Sequence, residues 1–277
     1  MSAPEVTIVI IAHSVQPELD RCLGSIRDHA DALVLIVLVD NASTDGTPKW
    51  VRQEHPEVEL IRLERNLGYS ARNLGLERAS GRYTMFLDSD ARLTEGALPT
   101  LVNALDDHQS WGLVAPRLVN PDGTLQLSCR RFPPPSLPLR RRPPLARFLE
   151  NSRAVHWHLM ADVDHTIARP VLYAISACHL FRTELGKRLG GLDQAFGRGG
   201  CEDIDWCIRI WDAGSEVVYL PEAVVVHEYR RQTSKSPLSR AALSHLLAFG
   251  ALQWRYRKRR RKLMNWREEM DPLWTRQ

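Results

Sequence analysis

The sequence is short of cysteine, and what it has shows no pattern. Cys22, Cys129, Cys178, Cys201 and Cys207 are odd in number and scattered. That excludes a paired zinc spacing and a disulfide framework, and points to a reducing compartment. No long hydrophobic run is present. The longest, Leu33 to Val39, falls far short of the roughly 20 residues that cross a bilayer. The first residues, Met-Ser-Ala-Pro-Glu, carry neither the basic nor the apolar region of a secretory signal. A strong overall charge is missing too. The formal +4 is unevenly spread, because Gln253 to Lys262 holds seven basic residues and no acid, which leaves the rest at +4 less 7, or −3. With no nucleic-acid motif in that slightly acidic body, nucleic acid is a poor partner. The expectation is a cytoplasmic protein, peripheral at most on the inner face of the plasma membrane.

What is present begins with an alternation. Val6 to Ile11 and Leu33 to Val39 are continuous apolar runs of the kind that fill strands buried on both faces of a parallel sheet. Between and after them, Glu18 to Asp28, Thr47 to Glu54 and Ser70 to Ala79 have helical spacing, the last closed by Gly81. Val58 to Leu63 and Tyr83 to Leu87 read as further strands. Strand and helix in turn predict an α/β fold, a mostly parallel central sheet with helices on both faces. The proline- and arginine-rich stretch 132–144 predicts a loop without regular structure, either a plain surface loop or an element that orders over substrate. Beyond it come a helix over Glu202 to Ala213 stopped by Gly214, and strands Val217 to Leu220 and Ala223 to Val226. From Ser236-Pro237 a helix with Leu238, Ala242, Leu246 and Phe249 on its apolar stripe runs into the basic cluster. The division expected is a domain over 1–231 and a basic helical extension over 232–277.

In an open parallel sheet, ligands bind at the carboxyl ends of the strands. Here those ends read Ala12-His13-Ser14, Asp40-Asn41-Ala42-Ser43, Asn66-Leu67-Gly68-Tyr69 and Asp88-Ser89-Asp90. Two carboxylates one residue apart can converge on Mg²⁺ or Mn²⁺ and leave open positions for phosphate oxygens. A turn followed by a helix cap explains the tripeptide equally well. Cys201-Glu202-Asp203-Ile204-Asp205-Trp206 puts three acids at the start of a helix after a glycine-rich loop. The helix dipole accounts for one or two of them, and a general base at a loop end is the other reading.

As an ordered set these motifs carry a resemblance. The chain resembles the family 2 glycosyltransferases of the GT-A fold, in their rhamnosyltransferase-like bacterial branch. The match runs from Val6 to about Arg231 and includes Val39 to Thr47, Asn66 to Asn73, Phe86 to Asp90, Asn120 to Pro133, Gly190 to Asp193 and Glu202 to Trp206. The resemblance implies an inverting, metal-dependent transfer of a sugar, rhamnose from dTDP-rhamnose or a sugar from UDP, to a hydroxyl of a glycan or lipid-linked glycan. It implies donor contacts from Ala12, His13, Asp40, Asn66, Arg72, Asn73, Asp88 and Ser89. Asp90, Asp88 and His227 would hold Mn²⁺ or Mg²⁺, and Asp203, with Glu202 as its neighbour, would be the base. The chain departs from relatives at Ala12-His13-Ser14, where Thr-Tyr-Asn is usual, and at Asp88-Ser89-Asp90, where many members of the branch have Asn-Pro-Asp. That second departure favours metal dependence and loosens the link to rhamnose.

Rival readings fare worse. A haloacid-dehalogenase phosphatase wants Thr or Val where Arg92 stands, and its motif near the first strand. A nucleotidyltransferase has no use for Glu202-Asp203. A silent nucleotide-sugar or nucleic-acid binding protein on the same fold is the remaining alternative. The basic residues of 253–262, with Trp254 and Tyr256, read either as a solvated charged helix face or as a segment drawn to an anionic membrane surface.

Overall fold

The computed structural model describes residues 4–30, 33–141, 145–196, 199–228 and 239–266. The apolar runs form β1 (Val6–Ala12) and β2 (Val34–Asp40). Both are covered on two faces by helices, which is why neither alternates with polar residues. With β3 (Glu59–Arg62) and β4 (Tyr83–Asp88) they make the parallel half of the sheet, in the order β3-β2-β1-β4. The helices between them are α1 (Gln16–His29), α2 (Thr47–Glu54) and α3 (Arg72–Arg78), the last entered through a 3₁₀ turn over Gly68–Ala71.

Beyond β4 the sheet is mixed rather than mostly parallel. β5 (Ala91–Leu93), α4 (Ala97–Asp107), β6 (Trp111–Val119), β7 (Leu125–Gln126) and β8 (Cys129–Arg130) come next in the chain. After them are α5 (Leu137–Arg140), α6 (Ala146–Leu149), α7 (Arg153–His158), β9 (Arg169–Pro170) and β10 (Tyr173–Ala174). Then β11 (Cys178–Arg182) pairs antiparallel with both β4 and β6. After α8 (Thr183–Arg188) and α9 (Glu202–Asp212), β12 (Glu216–His227) lies parallel to β6 and antiparallel to β5. A strand's direction is set by the path that delivers it, and residue periodicity does not record that path.

Several local expectations change. The two strands expected over Val217 to Val226 are one strand, whose register against β6 shifts between Leu220 and Val224, so Pro221 sits at an irregularity where a missing N–H costs little. Gly81 is not the cap of α3. That helix ends at Arg78 with Ala79 as its C-cap, and Gly81 is needed because a Cβ there would lie 2.7 Å from the Glu5 carbonyl oxygen. The stretch 132–144 is not wholly irregular. Phe132 is fully buried and Leu137–Arg140 forms a helical turn with Pro138 near its start, where the ring is tolerated.

Ser236-Pro237 lies outside the described residues, as does the boundary expected at 231. The helix described there is α10 (Arg240–Arg255), whose N-cap Ser239 side chain accepts from the Ala242 N–H. It stops before the basic cluster ends, and α11 (Arg260–Met264) lies beyond a turn. The buried stripe of α10 is Ala242, Ala248, Phe249 and Leu252, whereas Leu246 is exposed.

Two hydrophobic clusters sandwich the sheet. One packs α1 and α4 against it through Leu19, Leu23, Leu101 and Leu105. The other gathers Leu76, Trp206, Phe249, Leu252, Tyr256 and Leu263 from α3, α9, α10, the residue that caps α10, and α11. The C-terminal helices are thus part of the second core.

Candidate active site

Three parallel strands end at one edge. Ala12 is in register with Asp40, and Ile11 with Asp88. β12 reaches the same edge because His227 is paired with Ala91 and the Glu228 N–H donates to the Asp90 carbonyl at 3.0 Å. The sheet therefore brings Asp88, Asp90 and His227 together, with one ligand atom of each within 4.8 Å of the others. His227 Nε2 is 3.4 Å from Asp90 Oδ1 and 3.7 Å from Asp88 Oδ2. Its Nδ1 is 2.7 Å from Gln126 Oε1, which fixes the ring with Nε2 toward the carboxylates. Burial works against a charged imidazole. The Asp90 hydrogen bond and the negative charges of Asp88 and Asp90 outweigh it and hold the His227 pKa above the usual value. Two carboxylates suit Mg²⁺ or Mn²⁺, and the imidazole favours Mn²⁺ of the two.

Arg72 governs the other side of Asp88. It is fully buried, pairs through Nη2 with Asp88 Oδ1, and donates through Nη1 to Ser176 Oγ at 3.1 Å. Ser176 Oγ in turn lies 3.5 Å from Glu202 Oε1. A chain of polar contacts thus joins the paired aspartates to the start of α9. Burial, with Asp90 adding to it, raises the Asp88 pKa, and Arg72 opposes the rise.

Glu202 and Asp203 open α9 behind Cys201, which adopts the left-handed conformation at φ 72°. Glu202 is buried with Oε2 lacking any partner, and burial, then Asp203, push its pKa up to about 8. Asp203 is less buried. Desolvation raises its pKa to about 6, with the Ile204 N–H bonded to Oδ1 pulling the other way. Asp205, further along α9, faces elsewhere: it accepts from Arg209, Arg255 and Tyr256, each at 2.8 Å.

The donor side is mixed. Asp40 is fully buried at the end of β2. Its Oδ1 accepts from the Ser43 N–H at 3.3 Å while Oδ2 has no partner, so a buried carboxylate oxygen is left for a ligand donor. His13 is exposed beside it, with Nδ1 2.9 Å from the Asn41 carbonyl oxygen, and Ala12 is buried. Ser89 sits between the aspartates, partly exposed. Asn66 is exposed, but its Oδ1 is used within the protein: it accepts from Asn41 Nδ2 and the Gly68 N–H, which shapes the loop. Asn73 donates to the Leu192 carbonyl and accepts from the Leu192 N–H, both at 2.8 Å. It clamps the Gly190-Gly191-Leu192 turn and does not meet the aspartates. Sequence reasoning missed Ser176, which lies in no motif, and Gln126, whose role shows only once β7 lies against β6.

Comparison with known proteins gives the family and the fold. Residues 7–185 match the family described as Glycosyl transferase family 2. An N-acetylglucosaminyl-diphospho-decaprenol L-rhamnosyltransferase of Mycobacterium tuberculosis is 28% identical over 86% of this chain and 80% of its own. A pre-mycofactocin glycosyltransferase of the same organism is 29% identical over 82% of this chain and 43% of its own. Among solved structures, GalNAc-T7 with UDP, GalNAc and Mn²⁺ superposes with a TM-score of 0.64 at 19% identity, covering 87% of this chain, which spans 47% of that one. A mannosyltransferase of Pyrobaculum calidifontis with GDP-Man and Mn²⁺ gives 0.56 at 23% identity, over 84% of this chain and 59% of its own. These two likenesses establish the GT-A-like fold. With more than half its length matched and the carboxylates at the expected strand ends, the chain belongs to glycosyl transferase family 2 and is a glycosyltransferase.

Proposed function

We propose that the enzyme is an inverting, Mn²⁺-dependent glycosyltransferase that moves rhamnose from dTDP-rhamnose to a hydroxyl of a lipid-linked glycan at the membrane surface, with a UDP-sugar as the second donor to try. The observation that carries this is the joining of three parts at one edge. Asp40 offers an unpartnered buried carboxylate oxygen, Asp88, Asp90 and His227 converge, and Glu202-Asp203 faces them through Arg72 and Ser176. Asp40 Oδ2 accepts a hydrogen bond from the nucleotide base, and the exposed His13 lies beside it. Asp90, Asp88 and His227 would hold the cation, which would supply positive charge to offset that of the departing diphosphate. Arg72 opposes the rise in the Asp88 pKa and orients its carboxylate.

Asp203 is the base. Its pKa of about 6 leaves it ionised at pH 7, whereas Glu202 at about 8 is mostly protonated there. The acceptor oxygen bonds to the anomeric carbon from the face opposite the nucleotide, its proton passes to Asp203, and the nucleoside diphosphate leaves with the electron pair of the broken C–O bond. Rhamnose and the lipid-linked acceptor are supported by the name of the mycobacterial relative, which matches over most of both chains.

The test is a panel of dTDP-, UDP- and GDP-sugars with Mn²⁺, Mg²⁺ or chelator, scored for donor hydrolysis and for transfer to lipid extracts. Turnover with dTDP-rhamnose that disappears on chelation is expected. Undiminished turnover by Asp90→Ala would refute the metal assignment.

A further inference from the structure

Ten large apolar side chains are exposed among the described residues, and seven of them sit on two short stretches of chain. Four are on α10: Leu243, Leu246, Leu247 and Trp254, with Leu247 at 68% and Trp254 at 69% exposure. At 3.6 residues per turn these four fall within an arc of roughly 100°. They lie opposite the buried stripe of Ala248, Phe249 and Leu252, so α10 is apolar on two faces and only one is packed. The other three, Leu139, Leu145 and Phe148, project from α5 and the start of α6, Phe148 at 69% exposure. The two stretches are anchored to each other. Gln253 Nε2 donates to the Pro133 carbonyl at 2.9 Å, and the Phe132 and Tyr256 rings meet edge to face.

Within both stretches the charge has one sign. Residues 239–266 contain no Asp or Glu, and neither do residues 129–149. Arg147, Arg257, Lys258, Arg260 and Arg261 are exposed beside the apolar groups, and the Arg257 guanidinium lies 4.0 Å from the centre of the Trp254 ring. Exposed leucines, a tryptophan and a cationic border are the composition that enters the headgroup region of an anionic bilayer. A protein partner would not require the uniform charge.

We propose that α5–α6 and α10–α11 form one membrane-docking face for a bilayer containing anionic lipid. This deepens the reading above, which places the acceptor in a lipid. Leu247 also borders a cleft of about 1090 Å³ between α10 and α3 whose lining includes Ser70 and Asn73. Asn73 follows Arg72 in the chain, so the cleft runs along the helix whose first residue pairs with Asp88.

The test uses the full chain and sedimentation with vesicles of phosphatidylcholine alone or mixed with phosphatidylglycerol. Two variants are compared with the wild type: Leu243→Ser/Leu247→Ser/Trp254→Ser, and Arg257→Gln/Lys258→Gln/Arg260→Gln/Arg261→Gln. All these side chains are exposed, and matching circular dichroism and melting temperature establish that each variant is folded. Expected are binding to the mixed vesicles only, weakening with salt, and at least about a tenfold lower partition for either variant. Wild type that stays in the supernatant with mixed vesicles, or variants that pellet equally, overturn the proposal. So does a wild-type dimer that the leucine variant dissolves, because the face would then belong to a second copy. Donor hydrolysis without vesicles is read in parallel and stays unchanged in both variants. Its absence from the wild type would count against the function and not against the face.

Discussion

Arg72 shows how much of the site lies below the motifs. The resemblance places it near the donor diphosphate or the metal loop, and its burial and two-way contact with Asp88 and Ser176 are visible only in three dimensions. Asp88 beside Asp90 would resist ionisation without it. Arg72→Gln is therefore expected to weaken Mn²⁺ affinity and to cost about 3 kcal/mol of stability, the scale of breaking a buried ion pair by removing one partner. Calorimetric Mn²⁺ titration and urea unfolding measure both, and an unchanged Mn²⁺ affinity would show that Asp88 does not depend on this pair. The acid-base step has a pH signature. Asp203 must be ionised to accept a proton, so with its pKa raised to about 6, kcat/KM should hold above pH 6 and fall about tenfold per unit below it. Asp203→Asn should lose about 10²–10⁴ in rate and flatten that limb, whereas Glu202→Gln should keep it. If Glu202→Gln abolishes the limb instead, the base has been assigned to the wrong neighbour. The sequence supplied both acids, but only burial separates their pKa values.

At the scale of elements, legibility followed the physics of each signal. β1, β2 and β4 were readable because strands covered on both faces must be continuously apolar, and α2 matched residue for residue. The segment carrying α4 and β6 went unread, although β6 lies at the centre of the mixed half of the sheet, next to β11 and β12. Gly81 is a subtler failure. A glycine after a helical run looks like a cap, but this one serves the entry to β4, where the chain passes the start of β1. A Cβ would sit 2.9 Å from the Thr7 nitrogen as well as 2.7 Å from the Glu5 oxygen. Both are backbone atoms and cannot rotate away. Gly81→Ala should thus lose about 1–3 kcal/mol, seen as a lower melting temperature with donor affinity preserved in the folded fraction. A variant as stable as the wild type would mean that the β1–β4 edge yields more easily than its hydrogen-bonded register implies.

For the whole molecule, the largest revision concerns the C-terminus. Read as sequence, 253–262 is a basic appendage, because seven cations in ten residues outweigh every other signal. Folded, part of that charge is spent inward. Arg255 bonds Asp193 and Asp205, Arg259 bonds Asp212 through both terminal nitrogens, and Tyr256 is buried with its hydroxyl on Asp205. Lys258, Arg260 and Arg261 remain at the surface. The same stretch therefore closes a core and charges a face, and deleting it cannot test the second role without destroying the first. A chain ending at Leu252 would lose Tyr256 and Leu263 from the cluster around Trp206. It would also leave the fully buried Asp205 with Arg209 as its one remaining partner of the three named above. A buried carboxylate stripped of two partners costs about 3–5 kcal/mol, and a lost core tyrosine adds about 3 kcal/mol. Together these approach the whole stability of an ordinary domain, about 5–15 kcal/mol. The shortened chain is expected to be largely unfolded or aggregated at 25 °C by circular dichroism and size exclusion, while the charge variant Lys258→Gln/Arg260→Gln/Arg261→Gln melts within about 2 °C of wild type, as surface substitutions do. A shortened chain with native spectra and donor hydrolysis would mean that 253–266 is the detachable extension its composition resembles.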